Sequence, residues 1–173
     1  VKLTSARRAD VVSGLSWLTS ISEGGLGLLV VSNHGDRSGI CLWGADILAP
    51  IELKQALKPA KGTLALVMGQ CMGGVFGTLA DPKTVVLSAC LEGESSWACP
   101  SPPGFAYDEF LYQLGTALFG APADAPQSGP ARRPLSLLDA FHWACAQDRR
   151  YTAPMIETPT IFDPAGLAGS IYL

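Results

Sequence analysis

Apolar residues along the chain follow two different periods. Ala9, Val11, Val12, Leu15, Trp17 and Leu18 fall close to helical spacing; Thr4 or Ser5 is placed to cap that helix and Gly24-Gly25 to end it. Leu26–Val31 is instead a continuous apolar run rich in branched side chains, the pattern of a strand buried on both faces. Thr63–Met68 and Thr84–Ser88 repeat it. Between the first two runs, Ile40-Cys41-Leu42-Trp43 reads as half of a hairpin, and Pro50–Leu57 as a short helix with Pro50 near its start. Residues 107–119 return to helical spacing through Phe110, Leu111, Leu114 and Leu118. Residues 135–147 do so through Leu137, Leu138, Phe141 and Cys145, with Ser136 as cap and Asp139 in the first turn. Residues 120–134, dominated by Ala, Pro, Ser and Gly, form a linker-like loop, and the tail 151–173 holds short apolar pieces broken by Pro and Gly. Strands alternating with helices, with no internal repeat, predict an α/β fold with a mostly parallel sheet.

Composition narrows the class. The chain has 173 residues, which suits one domain spanning 1–173. It is 48% hydrophobic and only 16% charged, against ~25% in ordinary domains, which excludes intrinsic disorder. No apolar run reaches the ~18–20 residues of a membrane-spanning helix. A net charge of −3, with basic pairs at 7–8, 132–133 and 149–150 scattered along the chain, argues against a nucleic-acid face. Five cysteines without CxxC spacing, and only two histidines, favour neither a disulfide framework nor a zinc site, so no cofactor or metal is expected. The natural setting is a reducing compartment, hence the cytoplasm. The chain opens without Met, lacks a signal-peptide pattern and enters a helix almost at once, which reads as part of something longer.

The candidate chemistry sits at strand ends. His34 follows the first apolar run and Cys71 the second. In open α/β sheets the functional crevice lies beyond the carboxyl ends of the strands, so neighbouring strands would bring these two side chains together. A thiol needs a nearby base or a lowered pKa to act as a nucleophile, and glycines beside both residues let N–H groups approach a substrate carbonyl oxygen. Cys41, Cys90, Cys99 and Cys145 read as structural thiols, and His142 as a packing or surface histidine. Trp17, Trp43 and Trp143 read as core or interface; Trp97, in a polar loop, is the tryptophan placed to meet a ligand.

Ser32-Asn33-His34-Gly35, followed by an apolar strand into Gln70-Cys71-Met72-Gly73-Gly74, resembles the caspase-like cysteine peptidases: caspases, metacaspases and legumains. Downstream, Glu94-Ser95-Ser96-Trp97-Ala98-Cys99 is similar to a legumain stretch that walls the substrate cleft, and residues 105–110 fall where legumains carry an S1 aspartate. The resemblance implies a caspase-like three-layer sandwich and peptide-bond cleavage. It implies His34 as base, Cys71 as nucleophile, Gly35 and Cys71 N–H groups as oxyanion hole, and Asp108, Ser96 and Trp97 as substrate-binding residues.

Two departures shape the expectation. The position two before the nucleophile, polar in those families, is Gly69, so the charge facing P1 falls to Asp108. That favours Lys or Arg at P1, with Asn or Asp the alternative if an arginine from elsewhere pairs with Asp108, and a small or apolar residue the third. The first βα unit of those families has no counterpart here, so a sheet edge is expected to be covered by an N-terminal fragment, a partner subunit or a second copy. Asp108 and Glu109 also suit the start of a helix, where the dipole favours acids. Two further readings stay open: a catalytically silent scaffold, and a nucleophile-elbow hydrolase or amidotransferase built on Gly69-Gln70-Cys71-Met72-Gly73 with His142 as its base.

Overall fold

The computed structural model describes residues 2–98, 108–120, 134–148, 151–152 and 155–173; the linker-like stretch, Cys99 and the basic pairs at 132–133 and 149–150 lie outside them. In chain order the elements are α1 Arg8–Thr19, β1 Leu26–Val31, β2 Gly35–Asp36, β3 Gly39–Leu42, β4 Asp46–Leu48, α2 Pro50–Leu57 and β5 Thr63–Met68. A 3₁₀ helix Gly73–Leu79 and β6 Thr84–Ser88 follow, then α3 Glu109–Phe119, α4 Leu137–Gln147, β7 Tyr151–Thr152, β8 Met155–Ile156, β9 Thr160–Phe162 and a short 3₁₀ turn Leu167–Ser170.

The main sheet has the order β1-β5-β6-β9. β1, β5 and β6 run parallel, in registers that set Val31 beside Met68 and Met68 beside Ser88; β9 closes the far side antiparallel. Alternation along the apolar strands explains why they carry no polar face. Ala65, Val67, Val85 and Leu87 point into a core with α3 and α4, whereas Leu64, Leu66, Met68 and Val86 point into a second core with α1, α2 and the first 3₁₀ helix. Helices on both faces of a mostly parallel sheet make the molecule a three-layer α/β sandwich.

β2, β3 and β4 form a small antiparallel sheet between β1 and α2, so Ile40-Cys41-Leu42 belongs to the middle strand of three. Arg8 fastens this insertion to the helices: its guanidinium bridges Asp46 at 2.7 Å and Glu52 as well, tying α1 to β4 and α2. α1 starts later than Thr4 or Ser5 suggested, because Asp10 accepts the Arg7 N–H at 2.9 Å and closes its first turn. α4 starts where expected, with Ser136 Oγ accepting the Asp139 N–H at 3.1 Å. Trp17 and Trp43 lie on the surface, 57% and 61% exposed.

Among the described residues β1 forms one edge of the main sheet, and it is an unusual edge. Val31 O accepts from Gly69 N and Gly25 O from Thr63 N, so Gly27, Leu29 and Val31 turn their backbone groups to β5. By the alternation of a parallel ladder, Leu26, Leu28 and Val30 turn theirs outward. No residue of β1 is charged, and Val30 is half exposed.

Candidate active site

β1 and β5 are hydrogen-bonded neighbours, and both stop at the same end of the sheet. The chain leaving β1 passes Ser32 and Asn33 to His34; the chain leaving β5 passes Gly69 and the fully buried Gln70 to Cys71. Ser32, Asn33, His34, Gly69, Cys71, Ser96, Ala98 and Asp108 line one open cleft of 320 Å³. Of the residues picked from sequence, the fold therefore brings His34, Cys71, Ser96 and Asp108 to a single cavity. His142 is on the exposed face of α4, its ring tilted 57° to that of Phe141, and takes no part in this cleft.

Contact between the two loops is made by backbone. A Cβ on Gly35 would come within 2.6 Å of Cys71 O and 2.5 Å of Gln70 Cγ, so only glycine lets the histidine loop lie directly on the cysteine loop. The neighbouring bond from Cys41 N–H to His34 O, 3.0 Å, makes Gly35–Ile40 a non-bonded pair, and the Gly35 N–H points away from β3. At the cysteine loop, Met72 N–H goes to Glu94 O and Gly73 N–H to Gln70 O, while the Cys71 N–H enters none of the turn's bonds. Met72 takes a left-handed conformation (φ 56°), which turns the chain sharply from strand to 3₁₀ helix and leaves Cys71 at the corner. The Cys71 thiol is half-buried and points to Ser96 O at 3.7 Å. Asn33 organises the histidine loop: its Oδ1 accepts the His34 N–H at 2.8 Å and its Nδ2 donates to Cys41 O at 2.6 Å.

The far wall is residues 94–98. Ser96 Oγ donates to Gly69 O at 3.3 Å, and Ala98 forms a β-bridge with Asp108. Trp97 does not line the cleft: its N–H donates to Glu157 Oε2 at 2.8 Å and its carbonyl accepts from Glu109 N–H at 2.9 Å. Asp108 unites the two readings offered by sequence. It caps α3, accepting the Leu111 N–H on Oδ1 at 2.8 Å, and it also lines the cleft floor. Gly69 has a packing cause: a Cβ there would sit 2.1 Å from Leu111 Cδ1, so the first turn of α3 occupies the space a larger side chain would need.

Sequence reasoning missed Glu157. Its carboxyl group is buried against Asp108 and Trp97, and burial with its acidic neighbours pushes its pKa up to about 10. Burial also pushes Asp108 up to about 7, with the Leu111 N–H, Glu157 and Ser96 pulling the other way and Asp148 adding repulsion. The only local signal was an acid in an otherwise apolar tail piece, Met155-Ile156-Glu157, and its partners lie dozens of residues upstream. Among the described residues no group of His, Cys, Asp and Glu is arranged to hold a metal ion. No described helix is long and apolar enough to cross a membrane.

The remaining described thiols are structural in character. Burial pushes Cys90 up to about 12 and Cys145 up to about 11, and it raises Cys41 as well. Their protonated forms are the stable ones, which leaves Cys71 as the described thiol set in a cleft with a histidine. The cleft thus gathers a thiol, an imidazole, a hydroxyl and a carboxyl group from four separate segments of the chain. No protein-family model matches the chain, and no curated protein matches it.

Proposed function

We propose that the chain is a cysteine endopeptidase of caspase-like type, with Cys71 as nucleophile and His34 as base. The observation that carries this is the convergence of His34 and Cys71, from the carboxyl ends of adjacent parallel strands, on one cleft whose two loops touch through Gly35. In the reaction Cys71 Sγ attacks the peptide carbonyl carbon as its proton passes to His34. Gly35 and Cys71 N–H groups hold the oxygen that gains charge. His34 returns the proton to the departing amine, leaving a thioester. Water then attacks that carbonyl, gives its proton to His34, and releases the acid and the Cys71 thiol. Ser96 and Asp108 serve the substrate side chain, and a protein or peptide is the substrate. The unpaired described thiols suit a reducing, cytoplasmic setting.

Cleavage of a peptide library, followed by mass spectrometry, tests this. Cys71→Ala and His34→Ala should each abolish cleavage, while His142→Ala should leave it within a few-fold. Activity that survives His34→Ala and dies with His142→Ala returns the elbow-hydrolase reading. A wild-type protein inert toward every peptide makes the cleft a silent scaffold.

A further inference from the structure

Behind the cleft, three carboxyl groups are drawn together from distant parts of the chain. Asp108, Asp148 and Glu157 are 6%, 5% and 3% exposed. Glu157 and Asp108 interact directly, and Asp148 is near enough to repel both. Asp108 spends Oδ1 on the Leu111 N–H and Glu157 spends Oε2 on the Trp97 N–H; the other oxygens, Asp108 Oδ2 and Glu157 Oε1, are buried without a hydrogen bond. Two carboxylates in contact cannot both stay charged, whereas one proton between them satisfies both bare oxygens. Only Asp108 of the pair reaches the cleft, and among the described residues no lysine or arginine lines that cleft.

We propose that Glu157 is a positioning residue that holds a proton on Oε1 and donates it to Asp108 Oδ2, making the cleft floor a singly charged acid pair that accepts a guanidinium or ammonium side chain. This rests on the peptidase reading for its place at P1, but the proton-sharing pair itself does not. The charge belongs to Asp108: burial and the carboxylate beside it hold Glu157 neutral against the pull of the Trp97 N–H, while the Leu111 N–H favours charge on Asp108. Other titratable groups face the pair: Asp148 from the end of α4, Glu109 beside Asp108, Cys90 beneath, Glu94 across Thr158, and His34 and Cys71 across the cleft. A test must therefore cancel the titration of the dyad.

The ratio of kcat/KM for an arginine substrate to that for its neutral citrulline isostere does so, since the dyad acts on both. In the wild type this ratio should climb as pH rises through about 7, where Asp108 ionises. Glu157→Gln keeps a donor for Asp108 and an acceptor for Trp97, and should leave the climb nearly in place. Glu157→Met removes the donor; the climb should move to higher pH, with the arginine preference at pH 7 falling ~10-fold. Identical profiles for wild type and Glu157→Met overturn the proposal, as does a ratio near one at every pH. If Glu157→Met does not fold, infrared difference spectra of wild type against Glu157→Gln decide: a protonated-carboxyl band at pH 8 present only in the wild type is expected, and its absence overturns the proposal. If wild type cleaves nothing, calorimetric binding of arginine- and citrulline-terminated peptides to Cys71→Ala keeps the question separate. Discrimination there that is lost in Asp108→Asn upholds the acid pair while the peptidase reading falls; equal binding overturns the pair.

Discussion

Asp108 carries a cost in stability that depends on pH. Its pKa is raised in the fold, mainly by burial, and so is that of Glu157. The folded protein therefore retains protons that the unfolded chain gives up near pH 4, and stability drains away as pH rises from there through about 7 and on toward about 10. Asp108→Asn removes the charge that must be buried. Its melting temperature should match wild type near pH 4 and exceed it by ~5 °C at pH 9, allowing ~2–4 °C per kcal/mol for a chain of this size. Equal melting curves at pH 9 would show that water reaches the floor and relieves the burial. Thiol chemistry reads the same logic on the opposite wall. On a Cys99→Ser background, iodoacetamide at neutral pH should label Cys71 well before Cys41, Cys90 and Cys145, whose burial keeps them protonated. Peptide mapping against time would show it.

At the scale of elements, α3 and β5 meet at a point where there is room for only one side chain. Leu111 fills the space beside Gly69. Gly69→Asp should destabilise the protein by roughly 3 kcal/mol from overpacking and a buried charge, and Leu111→Ala in the same chain should recover part of that loss. A double-mutant cycle by urea unfolding measures it; additive effects would mean the two positions do not touch. This contact was invisible in the sequence, where Gly69 was simply a neutral residue in a polar position. What could be read was whatever local physics decides. β1, β5 and β6 announced themselves as uninterrupted apolar runs, and α4 by its Ser136 cap and Asp139. β4 and β9, three residues each, exist because a partner strand holds them, and no such run is long enough to signal alone. For the site, His34, Cys71 and Asp108 were legible because strand ends and helix starts are local features. Glu157 was not, because only tertiary contact gives it a role.

For the whole molecule, the open edge of β1 sets the expectation. Leu26, Leu28 and Val30 offer outward backbone groups with no charge to deter pairing, and apolar grooves flank the strand on both faces, one with Leu111 and Phe119, the other with Leu15 and Trp17. Two copies can join antiparallel about Leu28, each adding a strand to the other's sheet. The isolated chain at micromolar concentration should elute as a dimer, about twice 18.1 kDa by light scattering, and Val30→Lys should return it to monomer. A monomeric wild type would mean that this edge is protected without a partner. The strap across the cleft wall carries a different consequence. Glu94 holds Thr158 N–H and Oγ1 at 2.8 and 2.9 Å, and Trp97 N–H is held by Glu157, contacts that span 64 and 60 residues. During synthesis His34 and Cys71 leave the ribosome long before the residues that brace the opposite wall. At ~5–20 residues per second, Thr158 trails Cys71 by roughly 4–17 s. Through that interval the nascent chain carries His34 and Cys71 without the far side of their cleft, and a ribosome stalled before residue 157 displays them on an unbraced wall.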